Sequence, residues 1–255
     1  TYPAQFADGT VGTIDKTGKY IVASVENGSL VIGKAEVTLK SADLSKKYDG
    51  TALENGGTAL ETESGFAEGE GATYEFTGSQ TLVGSSANAF AYTLNEGTKA
   101  DNYIITKDEG KLTVTDRDEA EKYEITVTAN STTKTYDGTE KTASGVTGTT
   151  FANDMGAQFT VSGLSASVSG TDAGTYPNNV TGTAKVTDAA GNDVTSQFSV
   201  TTESGSLLIK KAPATIAPKD ATKAYDGTDL KASEFTTTGF VEGQGVKSAS
   251  FTGSQ

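Results

Sequence analysis

The hexapeptide Lys-x-Tyr-Asp-Gly-Thr occurs three times in this chain, and its spacing limits the folds that the chain can form. The motif tyrosines are Tyr48, Tyr136 and Tyr225, which are separated by 88 and 89 residues. A recurrence near the length of one small domain is typical of a tandem array rather than of one 255-residue domain. The sequence therefore predicts repeated modules, each carrying one copy of the motif.

A glycine-led apolar segment recurs in register with the motif and marks where each module closes. Its copies lie at Gly28–Ala35, Gly110–Ala120 and Gly205–Ala212, and each is followed by a new strand pattern and then by the motif. The middle junction is six residues longer than the other two because of the segment Thr115–Lys122. Short junctions contain few residues that can change conformation, so we expect neighbouring modules to be held in a fixed orientation.

Alternate modules resemble each other more than adjacent ones do. The run at Gly65–Gly71 returns at Gly239–Gly245, and the tripeptide Thr1–Pro3 returns at Thr175–Pro177, both after about two modules. This pattern predicts an array of two module types, A and B. The expected segments are the second half of a B module (1–36), a complete A module (37–119), a complete B module (120–212) and the first half of an A module (213–255).

Apolar and polar residues alternate along the chain, which indicates half-buried strands. Leu112 and Val114 face one side of the run Lys111–Thr115, and Ile125 and Val127 do the same in Tyr123–Ala129. The other predicted strands are Tyr20–Val25, Ser29–Ile32, Glu36–Lys40, Asn102–Thr106, Ser196–Val200 and Ser206–Lys210. No amphipathic helix of ten residues is apparent. The prediction is an all-β chain of small, Ig-like β-sandwich modules, with a β-grasp-like module as the alternative.

Composition and charge exclude several classes of function. The chain has no Cys and no His, so disulfides, thiol catalysis and most nucleophile–base pairs are excluded. Its 33 acidic and 20 basic residues give a net charge of −13, which disfavours nucleic acid and anionic membranes as partners. No apolar run approaches the length of a membrane span, so we expect a soluble segment whose targeting signals lie outside it. No enzyme is predicted. The acidic pair Glu68 and Glu70 fits a Gly-rich loop better than acid–base catalysis.

The motif itself predicts a tight turn. Gly tolerates positive φ, Asp can accept hydrogen bonds from its own backbone, and Tyr supplies a large ring that can pack at the module's edge. The alternative is that the three tyrosines form an evenly spaced row of exposed rings that stack on sugars. The residues assigned to the structural motif are Tyr48, Asp49, Gly50, Tyr136, Asp137, Gly138, Tyr225, Asp226 and Gly227.

The Lys-x-Tyr-Asp-Gly-Thr motif and the glycine-led closing segment recur in register. In this combination the chain resembles the YDG and MBG-type tandem repeats of large bacterial surface proteins and adhesins. The resemblance covers essentially the whole chain. One departure is that the B module has Ser196–Val200 where the A module has an Asn-Tyr-x-Ile run at Asn102–Ile105. The resemblance implies an extracellular, cell-wall-anchored β-module without catalytic residues. It also implies a role as a stalk that projects a binding region located elsewhere in the protein.

The sequence offers two further ways of stabilising a module. Asp116, Asp118 and Glu119 cluster in the longer junction, where carboxylates could hold calcium; a solvated linker is the alternative. Apart from calcium, no cofactor is predicted. A Lys–Asn or Lys–Asp isopeptide bond could tie an early strand to a late one, but the spacing selects no pair. The residues that could take part are Lys46, Lys47, Lys134, Asn102 and Asn192.

The predicted partners are the neighbouring repeats of the same protein. As alternatives, the repeats themselves could bind host glycan, mucin or matrix protein through a loop containing Phe66, Glu68 and Glu70, or could self-associate head to tail. Self-association is suggested by the two half modules, which add to nearly one module and would each expose unpaired strand edges.

Overall fold

The computed structural model describes residues 2–4, 28–57, 59–231 and 233–252, with backbone alone for 2–4. Within these residues the chain is all-β, as the alternating pattern predicts. The helical elements described are three 3-10 turns of three residues each, at Ala100–Asn102, Glu119–Glu121 and Thr195–Gln197. In this part of the chain no helix has the length and apolar character needed to cross a membrane.

The chain divides into two compact units, which are described separately. Unit 1 comprises Thr1–Lys47 and Ala52–Thr115, and unit 2 comprises Tyr48–Thr51 and Asp116–Gln255. The last four residues of the first motif copy, Tyr48–Thr51, therefore belong to unit 2. They follow a unit 1 strand in sequence but cluster with the residues of unit 2.

The described residues of unit 1 form twelve short strands. They are β1 (Tyr2–Ala4), β2 (Gly28–Leu30), β3 (Ala35–Lys40), β4 (Leu44–Lys47), β5 (Leu53–Glu54), β6 (Thr62–Ser64), β7 (Ala72–Phe76), β8 (Ser79–Gln80), β9 (Gly84–Ala87), β10 (Phe90–Leu94), β11 (Tyr103–Asp108) and β12 (Lys111–Thr115). They form sheets in the orders β11-β3-β6 and β4-β12-β9 and the pairs β10-β7, β5-β8 and β1-β2.

Unit 2 repeats the same plan and includes two long strands, of 13 and 9 residues. Its described strands are β13 (Tyr123–Ala129), β14 (Thr132–Thr135), β15 (Lys141–Ser144), β16 (Val146–Thr147), β17 (Thr150–Ala152), β18 (Gln158–Gly170), β19 (Gly174–Asn178), β20 (Val180–Asp188), β21 (Phe198–Glu203), β22 (Gly205–Lys210), β23 (Thr215–Pro218) and β24 (Phe235–Thr238). The sheet orders are β16-β13-β21, β14-β22-β19 and β15-β18-β17, with β20 on β18 and a separate pair β23-β24.

Each unit contains two parallel strand pairs that join an early segment of the unit to a later one. In unit 1, β3 is parallel to β11 and β4 is parallel to β12. In unit 2, β13 is parallel to β21 and β14 is parallel to β22. The other strand pairs formed by the described residues are antiparallel. The repeat in the sequence therefore corresponds to a repeat in topology.

The strand pattern read from the sequence is confirmed most closely where the alternation is strongest. The predicted strands Lys111–Thr115 and Tyr123–Ala129 match β12 and β13 residue for residue, and Leu112, Val114, Ile125 and Val127 are buried as expected. The predicted strand Ser196–Val200 begins later than expected, because a 3-10 turn occupies Thr195–Gln197. The prediction for Tyr20–Val25 lies outside the described residues.

Close backbone packing requires glycine at the start of two of the three closing segments, at Gly110 and Gly205, whereas a Cβ on Gly28 would meet nothing within 4 Å. A Cβ on Gly110 would lie 2.4 Å from the carbonyl oxygens of Ser41 and Ala42, and one on Gly205 would lie 2.4 Å from that of Ala129. Real Cβ atoms do not come so close, so only glycine fits at these positions. At these two positions glycine is therefore a steric requirement of the fold.

A buried asparagine accompanies each of these glycines. Asn88 and Asn178 are fully buried. The side-chain amide of Asn88 donates to the carbonyl of Ala42 at 2.8 Å, and that of Asn178 donates to the carbonyl of Asn130 at 2.9 Å. Because an unpaired carbonyl away from water is costly, these amides stabilise the bend between β3 and β4 and the bend between β13 and β14.

Candidate functional site

The three copies of the motif form the same local turn. In the first copy, Asp49 Oδ1 accepts hydrogen bonds from the backbone N–H and the hydroxyl of Thr51 at 2.9 and 2.7 Å. Asp137 makes the same pair of bonds at 2.9 and 2.7 Å, and Asp226 makes them at 3.0 and 2.8 Å. The motif glycines have φ of 77°, 81° and 77°, values that favour glycine. The predicted tight turn is therefore present at every copy.

The tyrosines of these turns differ sharply in exposure. Tyr48 is 0% exposed and Tyr225 is 98% exposed, while Tyr136 is half-buried. A row of three exposed rings therefore does not form. What differs between the copies is the set of residues around each turn, and not the turn itself.

Tyr48 lies in unit 2 beside a cluster of aromatic rings. The aromatic cluster consists of Tyr123, Phe151, Phe159 and Phe198, with ring centroids between 4.9 and 6.4 Å apart. The Tyr48 and Phe159 centroids are 6.4 Å apart, and burial raises the pKa of the Tyr48 hydroxyl to about 12. Among the described residues this hydroxyl has no hydrogen-bond partner. The ring therefore contributes to unit 2 mainly as an apolar surface.

Two polar side chains hold the backbone of the first turn. Arg117 donates from Nη1 to the carbonyl of Tyr48 at 3.1 Å, and its guanidinium lies 4.2 Å from the centre of the Tyr123 ring. Asn153 donates from Nδ2 to the carbonyl of Asp49 at 2.6 Å. Asn153 Oδ1 in turn accepts from the backbone N–H groups of Met155 and Ala157 at 3.1 and 2.9 Å. The carbonyls of Tyr48 and Asp49 thus accept hydrogen bonds from side chains that the sequence did not predict to contact the turn.

The second turn, also in unit 2, packs on a different loop. Tyr136 packs against a small core formed by Ala143, Leu207 and Ile209. Its hydroxyl accepts a hydrogen bond from Gln244 Nε2, and a Cβ on Gly138 would lie 2.7 Å from Val241 Cγ1. Val241 and Gln244 belong to the Gly239–Gly245 run that the sequence identified as an A-module feature. A motif turn packed on the loop of a following repeat therefore occurs within unit 2.

The loop Gly65–Gly71 in unit 1 is equivalent to Gly239–Gly245 and contains the residues predicted to bind a ligand. Phe66 is half-buried, packs against the core of Val37 and Leu39, and meets the Tyr103 ring edge-on at 5.1 Å. Glu70 Oε2 accepts from the Tyr103 hydroxyl at 2.6 Å, and this bond raises the pKa of Tyr103. Glu68 is exposed. Two of the three predicted residues are thus engaged within unit 1.

An open hollow lies beside this loop in unit 1. It has a volume of about 590 Å³. Its walls are formed by Ile32, Gly33, Lys34, Ala35, Gly65, Phe66, Ala67, Glu70, Asp101, Asn102 and Tyr103. A hollow of about 290 Å³ in unit 2 is lined by the equivalent positions Gly239, Phe240, Val241 and Gln244, and there Tyr136 forms part of the wall.

Two of the three carboxylates predicted to bind calcium, Asp116 and Glu119, have other partners in unit 2. Asp116 Oδ1 accepts from Gln197 Nε2, and Glu119 forms a 2.6 Å ion pair with Lys122. Asp118 precedes the short 3-10 turn at Glu119–Glu121. The described residues contain no group of three or more carboxylate, His or Cys side chains arranged to hold a metal. The calcium site stays a prediction, which calcium binding would test.

Two of the residues that could take part in an isopeptide bond form hydrogen bonds with other groups. Lys46 donates from Nζ to the carbonyl of Ala52 at 3.3 Å in unit 1. Asn192 donates from Nδ2 to Asp188 Oδ2 at 2.9 Å in unit 2. None of these contacts selects a Lys–Asn or Lys–Asp pair, so the isopeptide bond stays a prediction.

The chain matches no protein-family model, no curated protein and no solved structure in the three comparisons made.

Proposed function

We propose that this chain is a non-catalytic stalk segment of a bacterial surface adhesin, in which tandem β-sandwich modules project a binding region from the cell wall. The observation that carries the proposal is the parallel pairing of β3 with β11 and β4 with β12 in unit 1, and of β13 with β21 and β14 with β22 in unit 2. A pulling force applied along the chain loads such a pair in shear, so that its hydrogen bonds must break together. This is the arrangement that a load-bearing segment needs.

The motif turns support the same role. Tyr48 is fully buried, and its turn is held by Arg117 and Asn153. Tyr136 is tied to Gln244. A motif used for packing between consecutive stretches of the array suits a stalk, in which each module gains stability from its neighbour.

Single-molecule force spectroscopy tests this proposal. The chain has no Cys, so handles can be attached through introduced cysteines without side reactions. Pulling between Lys34→Cys and Lys211→Cys, both exposed positions outside the paired strands, should give high-force unfolding events. Pulling between Asn179→Cys and Ser204→Cys is the control, since these residues lie at adjacent ends of the antiparallel pair β19-β22 and should peel apart at low force. Equal forces in the two geometries would contradict a load-bearing design.

The alternative is that the repeats themselves bind host glycan, mucin or matrix protein, and the 590 Å³ hollow in unit 1 favours it. A concave site with an aromatic wall and a carboxylate is suited to such ligands. A binding screen of the full chain, with and without calcium, tests this idea. Binding lost in the double variant Glu68→Gln/Glu70→Gln but retained in the exposed-site control Glu96→Gln would support it. Absence of saturable binding would exclude it for the ligands screened.

A further inference from the structure

An Asn-Gly pair in unit 1 has a local geometry that suits a chemical modification. Asn55 directly follows strand β5 and precedes Gly56 and Gly57. The backbone N–H of Gly57 donates to Asn55 Oδ1 at 3.0 Å. A bond of this kind closes a turn in which the side chain lies along the main chain that follows it. The chain's other Asn-Gly pair begins at Asn27, which lies outside the described residues.

The repeated motif forms the same kind of turn with a carboxylate in place of the amide. Asp137 Oδ1 accepts from the backbone N–H of Thr139 at 2.9 Å, and Lys141 donates to the other carboxylate oxygen. An ionised carboxylate is a poor electrophile because its negative charge repels an attacking nitrogen. A neutral amide lacks this protection, and a hydrogen bond to its oxygen makes its carbon more electrophilic. Of these two turns, the one at Asn55 therefore suits attack on the side-chain carbon.

Gly56 supplies the attacking nitrogen with little steric hindrance. Glycine has no side chain, so nothing on its own Cα crowds the approach of its nitrogen to the side-chain carbon of the preceding residue. The surroundings are also open, since a Cβ built on Gly56 would meet nothing within 4 Å. The backbone here can therefore adjust to bring the Gly56 nitrogen onto Asn55 Cγ without moving a packed neighbour.

We propose that Asn55 undergoes spontaneous deamidation in the folded chain, and that the product loosens the adjoining strand pair β5-β8. The Gly56 nitrogen gives its proton to hydroxide and forms a bond to Asn55 Cγ, while the Cγ–Nδ2 bond breaks and ammonia leaves with a proton from water. Water then opens the resulting succinimide ring at either carbonyl, which gives aspartate or isoaspartate at position 55. The net reaction consumes water, releases ammonia and requires no enzyme. This modification goes beyond the stalk role and does not depend on it.

The strand pair beside Asn55 is short and is sensitive to such a change. Strands β5 and β8 pair with Leu53 opposite Gln80 and Glu54 opposite Ser79. Glu54 Oε1 also accepts from the Ser79 hydroxyl at 3.3 Å. Deamidation places a new negative charge next to Glu54, and like charges repel. Isoaspartate in addition inserts a methylene group into the main chain, which shifts the residues that follow it relative to β8.

Peptide mapping by mass spectrometry, after incubation of the full chain in water labelled with heavy oxygen, tests the modification. We expect the peptide that contains Asn55 to exchange NH for labelled oxygen, to yield both isomers, and to react faster as the pH is raised. Gly56→Ala is the matched control, because this position has room for a methyl group and its φ lies outside the left-handed region. The added Cβ hinders the attack, so the rate should fall several-fold. Equal rates in the natural chain and in Gly56→Ala would overturn the proposal.

Two further measurements test the role of the folded structure. The rate at Asn55 in the folded chain should lie within several-fold of the rate in the same chain unfolded in urea. A far slower reaction in the folded chain would mean that the native structure protects Asn55, which would refute the proposal. Anion exchange separates the modified chain by its added negative charge, and hydrogen exchange of this fraction should be faster at β5-β8 than in the unmodified chain. Unchanged exchange there would overturn the predicted loosening.

Discussion

The side-chain amide of Asn153 donates a 2.6 Å hydrogen bond to the main-chain carbonyl of Asp49, across 104 positions of sequence. This bond joins the first motif turn to a loop of unit 2, where Asn153 is only 8% exposed. The same amide also donates to the Tyr123 hydroxyl at 3.2 Å. One side chain thus connects the turn, the aromatic cluster and its own loop.

Replacing Asn153 should destabilise unit 2. Asn153→Ala removes bonds to Asp49, Tyr123 and two backbone N–H groups, and we expect a loss of about 2–4 kcal/mol in the free energy of unfolding. Asn153→Asp keeps the shape but puts an oxygen against the Asp49 carbonyl, so it should cost at least as much. Hydrogen exchange of the amides of unit 2 measures the loss. Protection unchanged in both variants would show that the bond does not stabilise the turn.

Substitution of Tyr48 by Phe should change the response of unit 2 to alkali. Burial raises the pKa of the Tyr48 hydroxyl from 10.0 to about 12. The folded state therefore keeps its proton where the unfolded state loses it. The resulting stabilisation is complete below pH 10 and is lost between about pH 10 and pH 12.

Tyr48→Phe removes this contribution and also deletes a buried hydroxyl without a hydrogen-bond partner. At neutral pH we expect its stability to stay within about 1 kcal/mol of the natural chain, or to rise. The alkaline unfolding curve should be shallower than that of the natural chain. Tyr48→Ala should lose about 3–5 kcal/mol because it leaves a cavity. Identical alkaline curves for the natural chain and Tyr48→Phe would contradict the assigned burial.

The motif glycines offer a matched comparison between a packed and an open turn. Gly50 and Gly227 share a φ of 77°. A Cβ on Gly50 would lie 2.6 Å from Ala157 Cβ and 2.7 Å from Phe159 Cζ, whereas one on Gly227 would meet nothing within 4 Å. Gly227→Ala should therefore cost about 1–2 kcal/mol for the left-handed backbone alone.

Gly50→Ala adds a steric clash to the same backbone cost, and overpacking of this kind costs about 1–3 kcal/mol more. Gly138→Ala, whose Cβ would lie 2.7 Å from Val241 Cγ1, should fall between the two because Val241 lies in a partly exposed loop. Thermal and denaturant unfolding of the three variants gives the order. Equal losses at Gly50 and Gly227 would mean that the first turn is not packed as described.

Protonation of Asp137 should occur at unusually low pH. A hydrogen bond from Lys141, followed by those from Thr139, holds the pKa of the Asp137 carboxyl well below its ordinary value of 3.8. The stability that it contributes is present above pH 3.8 and is lost as pH falls through the lowered pKa. NMR titration of the carboxyl carbon measures this value. Lys141→Gln should raise the pKa towards 3.8, and an unchanged pKa in that variant would assign the shift to Thr139 alone.

The local sequence was sufficient to predict the elements whose conformation depends on residues close in sequence. The alternation in Lys111–Thr115 and Tyr123–Ala129 predicted β12 and β13 residue for residue, because a strand with one buried face needs a period of two. The Asp-Gly pair predicted the turn at all three motifs, because its hydrogen bonds span only two residues. Strand β18, with 13 residues, was not predicted, since its Ser- and Gly-rich sequence is held by partners elsewhere in the chain.

The sequence by itself determined the repeat, the all-β class and the shape of the motif turn. Only the tertiary structure decided what each turn does. Three nearly identical hexapeptides contain one tyrosine that is 0% exposed, one that is half-buried and one that is 98% exposed. The reason is that a turn is closed by neighbours two residues away, whereas the burial of its ring depends on groups as distant as Asn153, Phe159 and Gln244. Their proximity to the motif results from strand pairing, and it is not encoded in the hexapeptide.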